Sequence, residues 1–194
     1  MKTYKIKLIG ITPLLHHRMS EEDILSLLGT KDKKKQVKQV FTPREIATKH
    51  AYQKKDGSCY IPGGYLSGAF IQCASDFKRT DNSKKSLKSI AGGAFRILEE
   101  EIVLKHPKTK KIIKDFEVDI RKGTNHMKGA VCVCRARFDE WSVEFNVELD
   151  EQLISRETCQ TILEESGRRI GIGSFRVSKQ GSFGQFRIEE FKEI

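Results

Sequence analysis

The 194-residue sequence has no apolar run near the roughly 20 residues that a membrane-spanning helix needs. Its longest apolar stretches lie around Leu8 to Leu15 and Val131 to Val133. The opening Met1-Lys2-Thr3-Tyr4-Lys5-Ile6-Lys7 alternates polar and apolar residues, without the continuous apolar core of a signal peptide. There is no Cys-x-x-Cys pair. An odd set of five cysteines (Cys59, Cys73, Cys132, Cys134, Cys159), with no export signal, reads as free thiols in a reducing compartment, the cytoplasm. Cys132 and Cys134 would share one face of a strand, and the five histidines do not complete a ligand set, so no metal is expected. No Walker sequence is present. Gly171-x-Gly173 lacks a third glycine at Arg176 and follows a helix pattern where a strand is required, so no nucleotide cofactor is expected.

What the chain does have is positive charge. Lysine and arginine number 36 against 26 acidic residues, a formal net charge of +10 and a pI of about 9.4. The charges fall in runs (Lys33-Lys34-Lys35, Lys84-Lys85, Lys108 to Lys114), which points to a polyanionic partner. Singly, each run reads as a solvated face. Asn125-His126-Met127-Lys128-Gly129 joins them as a basic loop candidate.

Residues 4–12 alternate as a strand, with Pro13 ending the ladder. Ser20 and Asp23 mark a helix start, and Thr42-Pro43-Arg44-Glu45 marks another. Leu66, Ala69, Phe70, Cys73, Ala74 and Phe77 recur at helical spacing across 65–77. Residues 97–104 and 112–120 suggest a hairpin around His106 to Lys110. Residues 130–138 and 141–149 suggest a second hairpin, turning at Asp139-Glu140. Ser155 caps a helix whose stripe is Cys159, Ile162, Leu163 and Ser166, ending near Gly167, and residues 183–191 alternate as a last strand. The expected order is βαββαβ. This is an α+β, ferredoxin-like (RRM-like) domain over 1–194, with an antiparallel sheet and insertions at about 16–58 and 78–129. Its open sheet face is the surface RNA-recognition domains commonly use.

The most informative segment lies between the last helix and the last strand. Five glycines (167, 171, 173, 181, 184) and three arginines (Arg168, Arg169, Arg176) meet there, with Lys179 among them. Closely spaced glycines let backbone approach a ligand and present N–H groups to phosphate, and arginines add bidentate contacts. A tight turn is the plainer alternative.

Tyr60-Ile61-Pro62-Gly63-Gly64-Tyr65-Leu66-Ser67-Gly68-Ala69 resembles the Ile-Pro-Gly-x-x-x-x-Gly start of the first helix in the RAMP superfamily, and Gly171 to Gly184 resembles its glycine-rich loop. That superfamily supplies the backbone subunits of CRISPR effector complexes. The Ile-Thr-Pro-Leu-Leu start and the Gly-x-Phe-Gly-x-Phe ending are also similar to uncharacterised phage-encoded proteins. The resemblance covers both ends, and residues 80–125 have no counterpart. It implies that Gly63, Gly64 and Tyr65 lie near a nucleic-acid backbone, with Arg168, Arg169 and Arg176 contributing from the glycine-rich side, beside Gly171 and Gly173. The acidic residue of target-cutting members has no clear equivalent, because Asp23 is committed to helix capping.

Three functions remain open. One is a non-catalytic, single-stranded RNA-binding backbone subunit that coats guide RNA, as a homo-oligomer or filament or with other effector subunits. Another is a phage single-stranded DNA-binding or annealing protein. The third is a metal-independent ribonuclease using His16 or His17, next to Arg18, as acid or base on a 2′-hydroxyl. RNA and DNA are separated only by 2′-hydroxyl contacts.

Overall fold

The computed structural model describes residues 1–29, 41–79, 84–124 and 129–194. It is a mixed α/β structure with antiparallel sheets. The main sheet has four strands. β1 (Lys2–Gly10) lies at its centre, between β8 (Ser142–Leu149) and β9 (Phe186–Glu193), and β4 (Phe95–Ile97) borders β8. Tyr4, Ile6 and Leu8 of β1 and Val143, Phe145, Val147 and Leu149 of β8 are buried, as the two-residue period requires. Helices α3 (Gly63–Cys73) and α5 (Arg156–Glu165) contribute Leu66, Phe70, Cys159, Ile162 and Leu163 to the same core. The Phe70 ring stacks on Phe95 at 4.0 Å between centroids, fixing α3 over the short edge strand.

The other face of this sheet carries charge. Lys5 pairs with Glu144 (3.8 Å), Lys105 reaches the same carboxylate (3.1 Å), and Lys7–Glu189 and Arg96–Glu148 add two more ion pairs. None of the outward residues of β1, β4 and β8 is aromatic, so the open face lacks the base-stacking rings of an RNA-recognition sheet.

The expected hairpin between residues 130–138 and 141–149 does not form. β7 (Ala130–Phe138) pairs with β6 (Glu117–Thr124) from Glu117↔Arg137 onward, and with β2 (Leu14–Leu15) on its other edge, making a separate three-stranded sheet. Asp139-Glu140 is a junction between sheets, because β8 finds an eight-residue partner in β1. The hairpin expected between 97–104 and 112–120 shrinks to a single bridge at Lys105↔Ile112. β5 (Glu101–Val103) pairs instead with β3 (Tyr60–Pro62). One buried cluster joins both sheets, running from Tyr4 through Leu14 to Ala136 and Phe138. No helix among the described residues is long and apolar enough to cross a membrane.

Local capping signals are realised. Ahead of α1 (Glu21–Leu27), Ser20 Oγ accepts from Asp23 N (3.2 Å) and Asp23 Oδ2 accepts from Ser20 N (3.0 Å). Ahead of α2 (Pro43–Lys49), Thr42 and Glu45 form the same reciprocal pair. The bond from Thr42 N holds the Glu45 carboxyl below its ordinary range. Thr42→Ala is expected to cost about 1 kcal/mol in urea unfolding. An unchanged midpoint would show that α2 is held by tertiary packing alone. The short α4 (Lys88–Ala94) lies between α3 and β4.

Candidate nucleic-acid interface

After α5 the helix does not stop at Gly167. It widens into one π turn, Ser166–Ile170, and ends at Gly171, whose φ of +70° reverses the chain. The glycine-rich loop is then stitched to the β1–β2 connection. Gly184 N donates to Pro13 O (2.8 Å), Ser174 N to Leu15 O (2.9 Å) and Ile172 N to Gly184 O (2.9 Å). Gly173 and Gly184 both need the left-handed region (φ +78° and +71°). A Cβ on Gly173 would come within 2.6 Å of Leu15 O, and one on Gly184 within 1.8 Å of Ile172 O. The loop is thus a rigid strap.

This strap faces α3 across a cleft of about 350 Å³, lined by Gly64, Tyr65, Gly68, Gln72, Ile172, Gly173 and Arg176 among others. Two motifs more than 100 residues apart in sequence therefore form opposite walls of one groove. Gly64 and Gly68 stand one turn apart with open space where their side chains would be, so α3 presents bare backbone to the cleft. Arg176 is part-buried. It is held by donation to Gly173 O (3.2 Å) and Ser178 Oγ (3.1 Å). The Tyr65 hydroxyl donates to Tyr52 Oη (3.2 Å), and burial pushes its pKa far above the ordinary phenol value, so it stays a neutral donor.

Of the residues singled out from sequence, Gly64, Tyr65, Gly171, Gly173 and Arg176 come together here. Gly63 is buried beside them, and a Cβ there would come within 2.3 Å of Glu99 O. Arg168 and Arg169 lie on the π turn outside the groove. Arg168 pairs with Glu165 (2.8 Å) and Arg169 with Asp76 (2.6 Å). Lys179 is exposed on the strap, and Lys84 and Lys85 are exposed beyond α3. Arg18 lines a different cleft with Ser20, Glu22 and Lys49. Lys33, Lys34, Lys35, His126 and Lys128 lie outside the described residues.

The two histidines part company. His16 continues the β2–β7 pairing through its N–H to Ala136 O (3.0 Å). Its ring is fully buried against Phe138 and Tyr52 and accepts from Tyr52 N (3.2 Å). Burial lowers its pKa to about 3, leaving a neutral imidazole. His17 is exposed and stacks on His50 at 4.9 Å. Partial burial, then the His50 and Arg135 charges, lower its pKa.

Sequence reading quoted Gly68 only as part of the helix-start motif and missed Gln72, although the spacing Gly64-x-x-x-Gly68-x-x-x-Gln72 marks one helix face. It also missed a cluster under the strap. Asp119 and Arg135 are cross-strand partners, but Arg121 Nε takes both Asp119 oxygens (2.9 Å each). Arg135 is only 7% exposed, and its Nε and Nη1 have no hydrogen-bond partner among the described residues. Its guanidinium lies instead against the Phe175 ring, 4.8 Å from the centroid. Among the described residues no group of three or more His, Cys, Asp or Glu could hold a metal ion.

The chain shares the fold of a Type III-B Cmr-beta chain. That protein was solved by cryo-EM bound to cognate target RNA. The likeness covers 100% of this chain and 60% of the other, with a TM-score of 0.55 and 11% identity, so this chain spans less than two thirds of its neighbour's length. Cmr6 from Pyrococcus furiosus is similar over 95% of this chain and 96% of its own, with a TM-score of 0.46 and 12% identity. No protein-family model and no curated protein sequence matches the chain.

Proposed function

We propose that this protein binds single-stranded RNA without cleaving it, as a RAMP-like backbone subunit that coats guide RNA in a CRISPR-type effector or filament. The observation that carries the reading is the groove between α3 and the glycine-rich strap. Its walls are the two segments whose sequences resemble that superfamily, and one wall is bare helical backbone that a sugar–phosphate chain can approach closely. The +10 charge supplies the non-specific attraction, and the RNA-bound neighbour of the same fold supports an RNA ligand. A fully buried, neutral His16 has no route to a 2′-hydroxyl, so the ribonuclease reading would rest on the exposed His17 alone.

The same reading accounts for the topology. Taking β1, β4, β8 and β9 as first to fourth strands, with α3 and α5 as the crossing helices, the order β4-β8-β1-β9 is that of a ferredoxin-like core. Residues 1–194 then form one domain. On that reading the insertion expected at about 78–129 extends to take in the sheet of β6 and β7.

Binding should be electrostatic and prefer single strands. If six phosphates are neutralised, fluorescence anisotropy across a salt series should give a log–log slope of about −4. The RNA should be recovered intact. Affinity that ignores salt, a preference for duplex, or specific cleavage products would each sink the reading.

A further inference from the structure

The strap holds one residue that turn geometry alone does not explain. Phe175 is a non-glycine residue at φ +53° and remains 41% exposed. Left-handed backbone is disfavoured for a bulky L-residue, and much of this ring is left in solvent. Yet the loop closes tightly on it. Phe183 N donates to Phe175 O (3.2 Å), and Gly181 packs so closely that any Cβ there would come within 1.6 Å of that carbonyl. The backbone therefore fixes where the ring stands. The buried Arg135 guanidinium lies 4.8 Å from the ring centroid, and Arg121 lies 5.7 Å from it and 4.7 Å from Phe183. One carboxylate, Asp119, serves the two guanidiniums and is engaged by Arg121. The result is an aromatic surface backed by uncompensated positive charge, on the strap that walls the groove.

We infer that Phe175 is a stacking platform for one nucleobase of the bound strand, with Arg121 and Arg135 holding the ring from below. Arg135 lies in the interior, so the open part of the ring is the part it does not cover. Such a surface takes any base, because every base has a π face, and the cations beneath favour the adjoining phosphates. The inference rests on the proposed RNA-binding groove and assigns a contact beside it, on the same strap, one residue before the groove-lining Arg176.

The test uses the full chain and a single-stranded oligoribonucleotide, beside one of equal length with abasic spacers. Phe175→Leu keeps an apolar cover over Arg135 but removes the π face. It should bind the base-bearing strand about tenfold more weakly than the parent and the abasic strand equally well. Phe175→Trp should bind at least as tightly, and its emission should be quenched at saturation. The native Trp141 is fully buried and makes a constant background. The Phe175→Trp variant also decides the matter if the leucine variant melts early. Parent-like binding of the base-bearing strand by Phe175→Leu, an equal loss on both strands, or unquenched emission from Phe175→Trp at saturation would overturn the platform. If Gly68→Leu abolishes binding while Phe175→Leu does not, the platform alone fails. If the folded parent binds no strand, the groove reading falls and takes the platform with it.

Discussion

Gly68→Leu is expected to weaken binding of single-stranded oligoribonucleotides by a hundredfold or more while leaving the protein as stable as the parent. A Cβ at Gly68 meets no atom within 4 Å, so the backbone accepts a side chain there and the leucine extends into the groove. Leucine is also the better helix former, by roughly 0.8–1 kcal/mol relative to glycine, so α3 should gain slightly. Binding should suffer because the leucine stands between the bare face of α3 and the strap, where the backbone of the ligand must lie. A hundredfold loss corresponds to about 2.7 kcal/mol. Gly184→Ala is the converse. It forces a side chain into the left-handed region and onto Ile172 O, so it should unfold the strap and lose binding through stability. Anisotropy titrations paired with urea unfolding separate the two cases. A Gly68→Leu protein that binds like the parent would move the site away from this groove.

The sequence showed what local chemistry decides. The caps at Ser20, Thr42 and Ser155 were legible because a hydroxyl and the N–H three residues on are close neighbours whatever the rest of the chain does. The strands read at 4–12, 130–138 and 141–149 are found at Lys2–Gly10, Ala130–Phe138 and Ser142–Leu149. Their partners were not legible, since a short acidic turn between two β-rich runs fits a hairpin and a crossing between sheets equally well, and only the long β1–β8 register decides. β4 is three residues long, too short to show a period, although it holds the edge of the main sheet. Each glycine motif was visible alone. That they face each other depends on the bonds that tie the strap to Pro13 and Leu15, which no spacing reveals. Arg135 alternates with buried Cys134 and Ala136 and would be read as solvent-facing. The strap buries it by laying Phe175 across it.

His16 should make the protein acid-sensitive. In the unfolded chain its imidazole takes a proton below its ordinary pKa of about 6.5, whereas in the fold burial holds it neutral down to about 3. Between those values the unfolded state binds the extra proton, so stability is full above about pH 6.5 and falls as the pH drops toward 3. At pH 4.5, two units into that window, the contribution amounts to a loss of roughly 3 kcal/mol relative to pH 7. Carboxylates held below their ordinary range, such as those of Asp115 and Glu144, lose stability in the same direction, so the parent's profile alone does not isolate the histidine. His16→Asn does. Its side-chain oxygen can still accept from Tyr52 N, but it carries no titrating group. The variant should be less stable than the parent at pH 7, where its packing against Phe138 is poorer, and the gap should close or reverse at pH 4.5. Urea unfolding of both proteins at the two pH values reads the difference directly. Parallel losses in parent and variant would mean that the imidazole already exchanges its proton with solvent in the folded state. That single result would return His16 to consideration as an acid or base on bound RNA.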